Sequence, residues 1–168
     1  MRKEIFNMPN ITDVKSDRMR YTKNNTSANL SYVAIAINAL YFISIYSTDV
    51  KTYYYNLEIG ISVIYNLLFM LFVFLASESV KNYDFKYSVV LMAIGAMQIV
   101  RIFGIPYNAY YTFIEVRKNQ YVQAMEEGQF YLCVVYLVLS AACAIAAGVI
   151  GCIKTKKLRD YEKTLVAE

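Results

Sequence analysis

Four uncharged polar residues stand out because each lies inside a different apolar stretch of this 168-residue chain. They are Asn38, Asn66, Gln98 and Ser140. Measured from the same side of a membrane, each falls about eleven to thirteen residues into its stretch, which is roughly 16 to 20 Å along a helix. The hydrocarbon core of a bilayer is about 30 Å thick. The spacing therefore predicts one polar layer near the middle of a membrane.

This polar layer has two interpretations. Hydrogen bonds between helices would fix the register of a bundle, at about 0.6 to 2 kcal/mol for each bond. Alternatively, the layer could line a pathway for a solute or an ion, because polar groups at that depth are where membrane transporters hold their substrates. The spacing alone does not separate these two interpretations.

Glu58 and Arg101 form a second candidate pair, near the outer ends of two consecutive apolar stretches. Burying an arginine in a membrane costs about 2.5 to 3.5 kcal/mol on insertion scales, so the side chain needs a partner, a cavity or a route to the surface. We expect a structural ion pair between the two residues. A pair that faces another subunit, or one with a role in exchange or gating, is the alternative.

The composition argues against an enzyme and against a cofactor. Histidine is absent, which removes the commonest general base, the commonest zinc ligand and the usual axial ligand of haem. Cys133, Cys143 and Cys152 are spaced roughly 14 to 15 Å apart along one helix, too far to pair with one another. We therefore expect no catalytic residue, no metal and no cofactor.

Four predicted membrane spans position these residues. Spans are expected because 58% of the residues are hydrophobic. The spans cover residues 27–46, 56–76, 85–105 and 129–153. The third is expected to end before Pro106, since a proline disfavours helical geometry in the residue before it. These patterns predict an all-α integral membrane protein, an antiparallel four-helix transmembrane bundle.

The remaining segments are two polar tails and one long connection. We expect residues 1–25 to form an N-terminal tail and residues 154–168 a basic C-terminal tail. In the connection over residues 107–128, part of the chain is expected to be helical and to extend the fourth span outward.

The fourth span carries a predicted surface for helix packing. Small side chains recur along it about one turn apart, at Ser140, Ala144, Gly148 and Gly151. Such a surface lets another helix approach closely.

The orientation follows from the distribution of lysine and arginine. Thirteen of these residues lie in the two tails and the second loop, against three in the first and third loops. Cytoplasmic loops carry the excess of positive charge, so both termini are expected to be cytoplasmic, in a multi-pass protein of the cell membrane. The abundance of Tyr, Asn, Ile and Lys indicates an AT-rich bacterial genome.

Taken together, these features favour a non-enzymatic accessory or scaffold subunit of a larger membrane complex such as a transporter. Its expected partners are membrane lipids and other integral membrane subunits or a second copy of itself. A nucleic-acid partner is not expected, because the basic residues cluster beside the apolar spans. The alternative is a small homo-oligomeric channel or carrier that uses the midplane polar layer.

Overall fold

The computed structural model describes residues 11–46, 57–111, 113–117, 120–123 and 125–167. These residues form five helices and a two-stranded sheet: α1 (Ile11–Tyr21), α2 (Asn25–Tyr46), α3 (Leu57–Lys81), α4 (Phe85–Tyr111), β1 (Phe113–Arg117), β2 (Gln120–Gln123) and α5 (Glu127–Ala167). By length and composition, α2, α3, α4 and α5 are apolar enough to cross a membrane. The predicted helical class and the four predicted long apolar helices are confirmed.

The four long helices run antiparallel to their neighbours. The backbone N–H of Asn24, just before α2, donates to the carbonyl of Lys81 at the end of α3. Ser140 of α5 donates to the carbonyl of Ala34, whereas Gln129 at the start of α5 donates to the carbonyl of Ser44 near the end of α2. Each long helix contacts the next one along the chain, and α5 returns to pack on α2.

Glycines bring α4 and α5 close together. A Cβ atom added at Gly148 would lie 2.6 Å from the carbonyl oxygen of Ser88, and one added at Gly151 would lie 2.5 Å from the Ser88 hydroxyl. On the opposite helix, a Cβ atom at Gly95 would lie 2.6 Å from Ile145. Ala144 is fully buried as well. The two glycines of the predicted small-residue surface therefore face α4, while Ser140 faces α2.

The predicted end of the third span at residue 105 is wrong, because α4 continues through Pro106 to Tyr111. Proline lacks the N–H that would bond to the carbonyl of Ile102, which weakens a helix at that point. Pro106 and Ala109 are nevertheless buried. Prolines persist in membrane-type helices where neighbouring groups compensate for the lost bond.

The connection after α4 also differs from the prediction. Residues 107–111 are helical but belong to α4, and α5 begins at Glu127, only two residues before the predicted start of the fourth span. In place of a longer helical extension, β1 and β2 form an antiparallel hairpin in which Phe113 pairs with Gln123. The pairing register shifts between Glu115 and Arg117. The alternation of apolar and charged residues in β1, FIEVR, is the period-two pattern of a strand.

Both predicted tails contain helix. Residues 11–21 form α1, which packs against α5. Residues 154–167 continue α5, which is 41 residues in all and thus roughly 60 Å long. After Gly151 this stretch contains neither glycine nor proline, so no residue type that breaks a helix interrupts it.

Replacing Gly148 by alanine is predicted to destabilise the bundle by about 1 to 3 kcal/mol, because the backbone of α4 must move away from the new methyl group. Gly104 is the matched control, since a Cβ atom there has no neighbour within 4 Å. Gly104→Ala should be neutral or stabilise the helix by up to about 1 kcal/mol. Unfolding of the purified variants in mixed micelles measures both; equal stabilities would contradict the close packing of α4 and α5.

Candidate functional site

A chain of buried hydrogen bonds links three of the four predicted midplane residues. Gln98 Nε2 donates to Asn38 Oδ1 over 2.8 Å, and Asn38 Nδ2 donates to Asn66 Oδ1 over 3.4 Å. Arg101 Nη1 donates to the same Asn66 oxygen over 2.7 Å. The three amide side chains are fully buried, and Arg101 is 7% exposed. We call Asn38, Asn66, Gln98 and Arg101 the polar layer.

Helical spacing explains how the polar layer assembles. Gln98 and Arg101 are three residues apart on α4, and Asn38 stands three residues before Tyr41 on α2. Residues three or four apart lie on one face of a helix. On α3, Asn66 Nδ2 donates to the carbonyl of Ser62, one turn earlier. In α2, α3 and α4, one polar face of the helix thus lies toward the centre of the bundle.

Ser140, the fourth predicted member, has a different role. Its hydroxyl donates to the carbonyl of Ala34 over 2.9 Å, so it joins α5 directly to the backbone of α2. Ser27 makes a similar bond from α2 to the carbonyl of Ala147. These two bonds tie α5 to α2 through backbone carbonyls, not through the amides of the polar layer.

The guanidinium of Arg101 lies between two tyrosine rings. Its central carbon is 4.6 Å from the ring centroid of Tyr41 and 4.7 Å from that of Tyr65. A cation at this distance from an aromatic face is stabilised by the ring's negative charge density, and more strongly so away from water. Among the described contacts, two rings and one amide oxygen lie against a permanent positive charge inside the bundle.

The predicted ion pair between Glu58 and Arg101 stays a prediction. Glu58 belongs to the first turn of α3, but its side chain lies outside the described part of the structure. Tyr41, Tyr65 and Ser62 are members of the site that the sequence did not indicate. Tyr41 lies three residues after Asn38 and Ser62 four residues before Asn66, so helical spacing could have identified both. Tyr65 is adjacent to Asn66 and three residues from Ser62.

A second polar cluster lies at one end of the bundle, away from the polar layer. Asn24 caps α2, accepting at Oδ1 from the N–H of Ser27. The same oxygen accepts from Lys154 Nζ over 3.0 Å, and Lys154 also donates to Thr26. On α3, Lys81 donates to the Tyr32 hydroxyl and to Glu78. The start of α2 and the basic extension of α5 are thus linked at one end of the bundle.

The chemistry available to the polar layer is hydrogen bonding and charge stabilisation. Each amide presents one acceptor oxygen and one NH₂ donor, and most of these are engaged within the layer. Among the residues that the structure describes, Gln98 Oε1 and Ser62 Oγ are buried without a hydrogen-bond partner. Cys133, Cys143 and Cys152 are free thiols.

The chain matches no protein-family model, no curated protein and no solved structure.

Arg101→Leu is predicted to lower the free energy of unfolding by about 2 to 3 kcal/mol, because it removes a hydrogen bond from a charged donor to Asn66. Arg18→Leu, on the exposed side of α1, is the control and should have no effect. A variant Arg101→Leu as stable as the unmodified chain would contradict a structural role for the polar layer.

Combining Arg101→Leu with Glu58→Gln tests the predicted ion pair. If the two side chains interact, the double variant should be no less stable than Arg101→Leu alone. If the losses in free energy of unfolding caused by Arg101→Leu and by Glu58→Gln simply add in the double variant, the two side chains do not interact.

Proposed function

We propose that this chain is a multi-pass membrane protein crossed by α2, α3, α4 and α5. The supporting observation is the distribution of polarity, which is reversed relative to a protein dissolved in water. Leu67 and Val100 are 55% and 69% exposed, on the outer faces of α3 and α4, whereas Asn38, Asn66 and Gln98 are fully buried. Lipid is the solvent in which such an exterior is stable.

Within the membrane, the chain acts as a non-enzymatic accessory or scaffold subunit. The polar groups of its helices are directed toward one another inside the bundle, so its outer surface offers neighbours apolar side chains. Exposed large apolar residues continue along α3 at Leu71, Phe72 and Leu75. A surface of this kind suits other integral membrane subunits or a second copy of the chain, as well as lipid.

Both termini face the cytoplasm in this proposal. Lys81 at the end of α3 and Lys154 in α5 both lie beside Asn24, at the start of α2. Their location at one end of the bundle, together with the arginines of α1, concentrates positive charge on a single side, as cytoplasmic segments do.

A homo-oligomeric channel or carrier is the second candidate. The buried Gln98 Oε1, for which the described residues supply no donor, favours it, because a transported solute could provide one. In this function the polar layer would serve as part of the pathway.

Purification of the tagged chain from its native membrane, followed by mass spectrometry, separates the two functions. An accessory subunit should recover other integral membrane proteins in constant proportion, which are absent from a mock purification. Recovery of the chain alone, combined with solute flux in liposomes that contain only this chain, would contradict the accessory role and support the carrier.

Cysteine labelling tests the orientation. In a variant lacking Cys133, Cys143 and Cys152, a cysteine replacing Asn119 should react with an impermeant reagent added outside the cell. A cysteine replacing Asp160 should react only after the membrane is opened. The reverse pattern would invert the proposed topology.

A further inference from the structure

A groove of about 580 Å³ runs between α1 and the second half of α5. Basic and apolar side chains line it together: Lys15, Lys154, Lys157, Met19, Ile150 and Ile153. Among the described residues of its lining, Asp160 is the one acidic residue. Because both helices contribute to its walls, the groove exists only when α1 is docked on α5.

We propose that this groove binds the phosphate headgroup of an anionic phospholipid together with the first part of an acyl chain. The site rests on the proposed placement in the membrane. Its occupant is one class of lipid, at one location on the protein. Its two requirements are unbalanced positive charge and an apolar wall at the correct depth.

The charge requirement is met by three lysines opposed by one aspartate. Lys154 donates to Asn24 and Thr26 over 3.0 Å each, which orients its ammonium group. An ammonium group has three donors, so one remains for a phosphate oxygen. Lys15 and Lys154 both line the groove, so two like charges there favour an anion as the occupant.

The apolar requirement is met by α5 itself. Ile150 and Ile153 lie at the end of the uncharged part of this helix, and Lys157 follows Ile153 by one turn. Ile153 is 51% exposed. One turn is about 5.4 Å, so the isoleucines sit at the level of the upper acyl chain while the lysines reach the headgroup. An acidic peptide or a free anion would leave this apolar wall unused.

Native mass spectrometry of the full-length protein in detergent tests the site, with phosphatidylglycerol and phosphatidylcholine of identical acyl chains as probes. The unmodified chain should bind phosphatidylglycerol more tightly. The variant Lys15→Gln/Lys157→Gln should bind it about 30-fold more weakly, because two positive charges near the phosphate are lost.

Lys86→Gln/Lys156→Gln is the matched control, since it removes two exposed lysines that do not line the groove. Lys156 points about 100° around the helix from Lys157. This control variant should bind phosphatidylglycerol as the unmodified chain does.

Three results would overturn the proposed site. They are equal affinity for the two lipids, an equal loss of binding in both double variants, and displacement of the lipid by glycerol phosphate at equal concentration. The last result would show a site for free phosphate. Extraction of the unmodified chain with alkaline carbonate tests the membrane placement separately: retention without a lipid preference overturns the groove alone, whereas release overturns the placement.

Discussion

Satisfaction of buried hydrogen bonds in the polar layer is the constraint on which the arrangement of α2, α3 and α4 depends. A polar group left without a partner in apolar surroundings costs several kcal/mol. Moving one helix by a single turn, about 5.4 Å, would separate Gln98 from Asn38 and Arg101 from Asn66, which now lie 2.8 and 2.7 Å apart. Each bond contributes modestly to stability, so the layer acts mainly by excluding other registers.

Contacts of a different kind position α5. Gly148 and Gly151 allow the backbone of α4 to approach, and the hydroxyls of Ser140 and Ser27 bond to carbonyls across the interface with α2. Close packing between small residues replaces the hydrophobic effect as the force that joins helices where the surroundings are already apolar. The bundle therefore combines a polar layer, which specifies register, with a glycine-lined interface, which specifies distance.

The four long helices and the burial of Asn38, Asn66 and Gln98 could be predicted from the sequence, because long apolar stretches and isolated amides have few alternative placements. The helix ends could not. Local preference at Pro106 favours termination, but Pro106 and Ala109 are buried in a helix that continues to Tyr111. The hairpin, the docking of α1 and the position of Arg101 between Tyr41 and Tyr65 depend on contacts between distant segments, which periodicity within one segment does not report.

The polar layer is central to the choice between an accessory subunit and a solute pathway, and its accessibility to water decides between them. Ser62 and Ser140 are both buried. Ser62 lies one turn from Asn66, and Ser140 bonds to Ala34, one turn from Asn38. Cysteine is close to serine in size. In a chain freed of its native cysteines and reconstituted in liposomes, Ser62→Cys and Ser140→Cys should resist a charged, water-soluble thiol reagent until the protein is unfolded. Rapid labelling of either position in the folded protein would show a water-filled route through the bundle and contradict a closed polar layer.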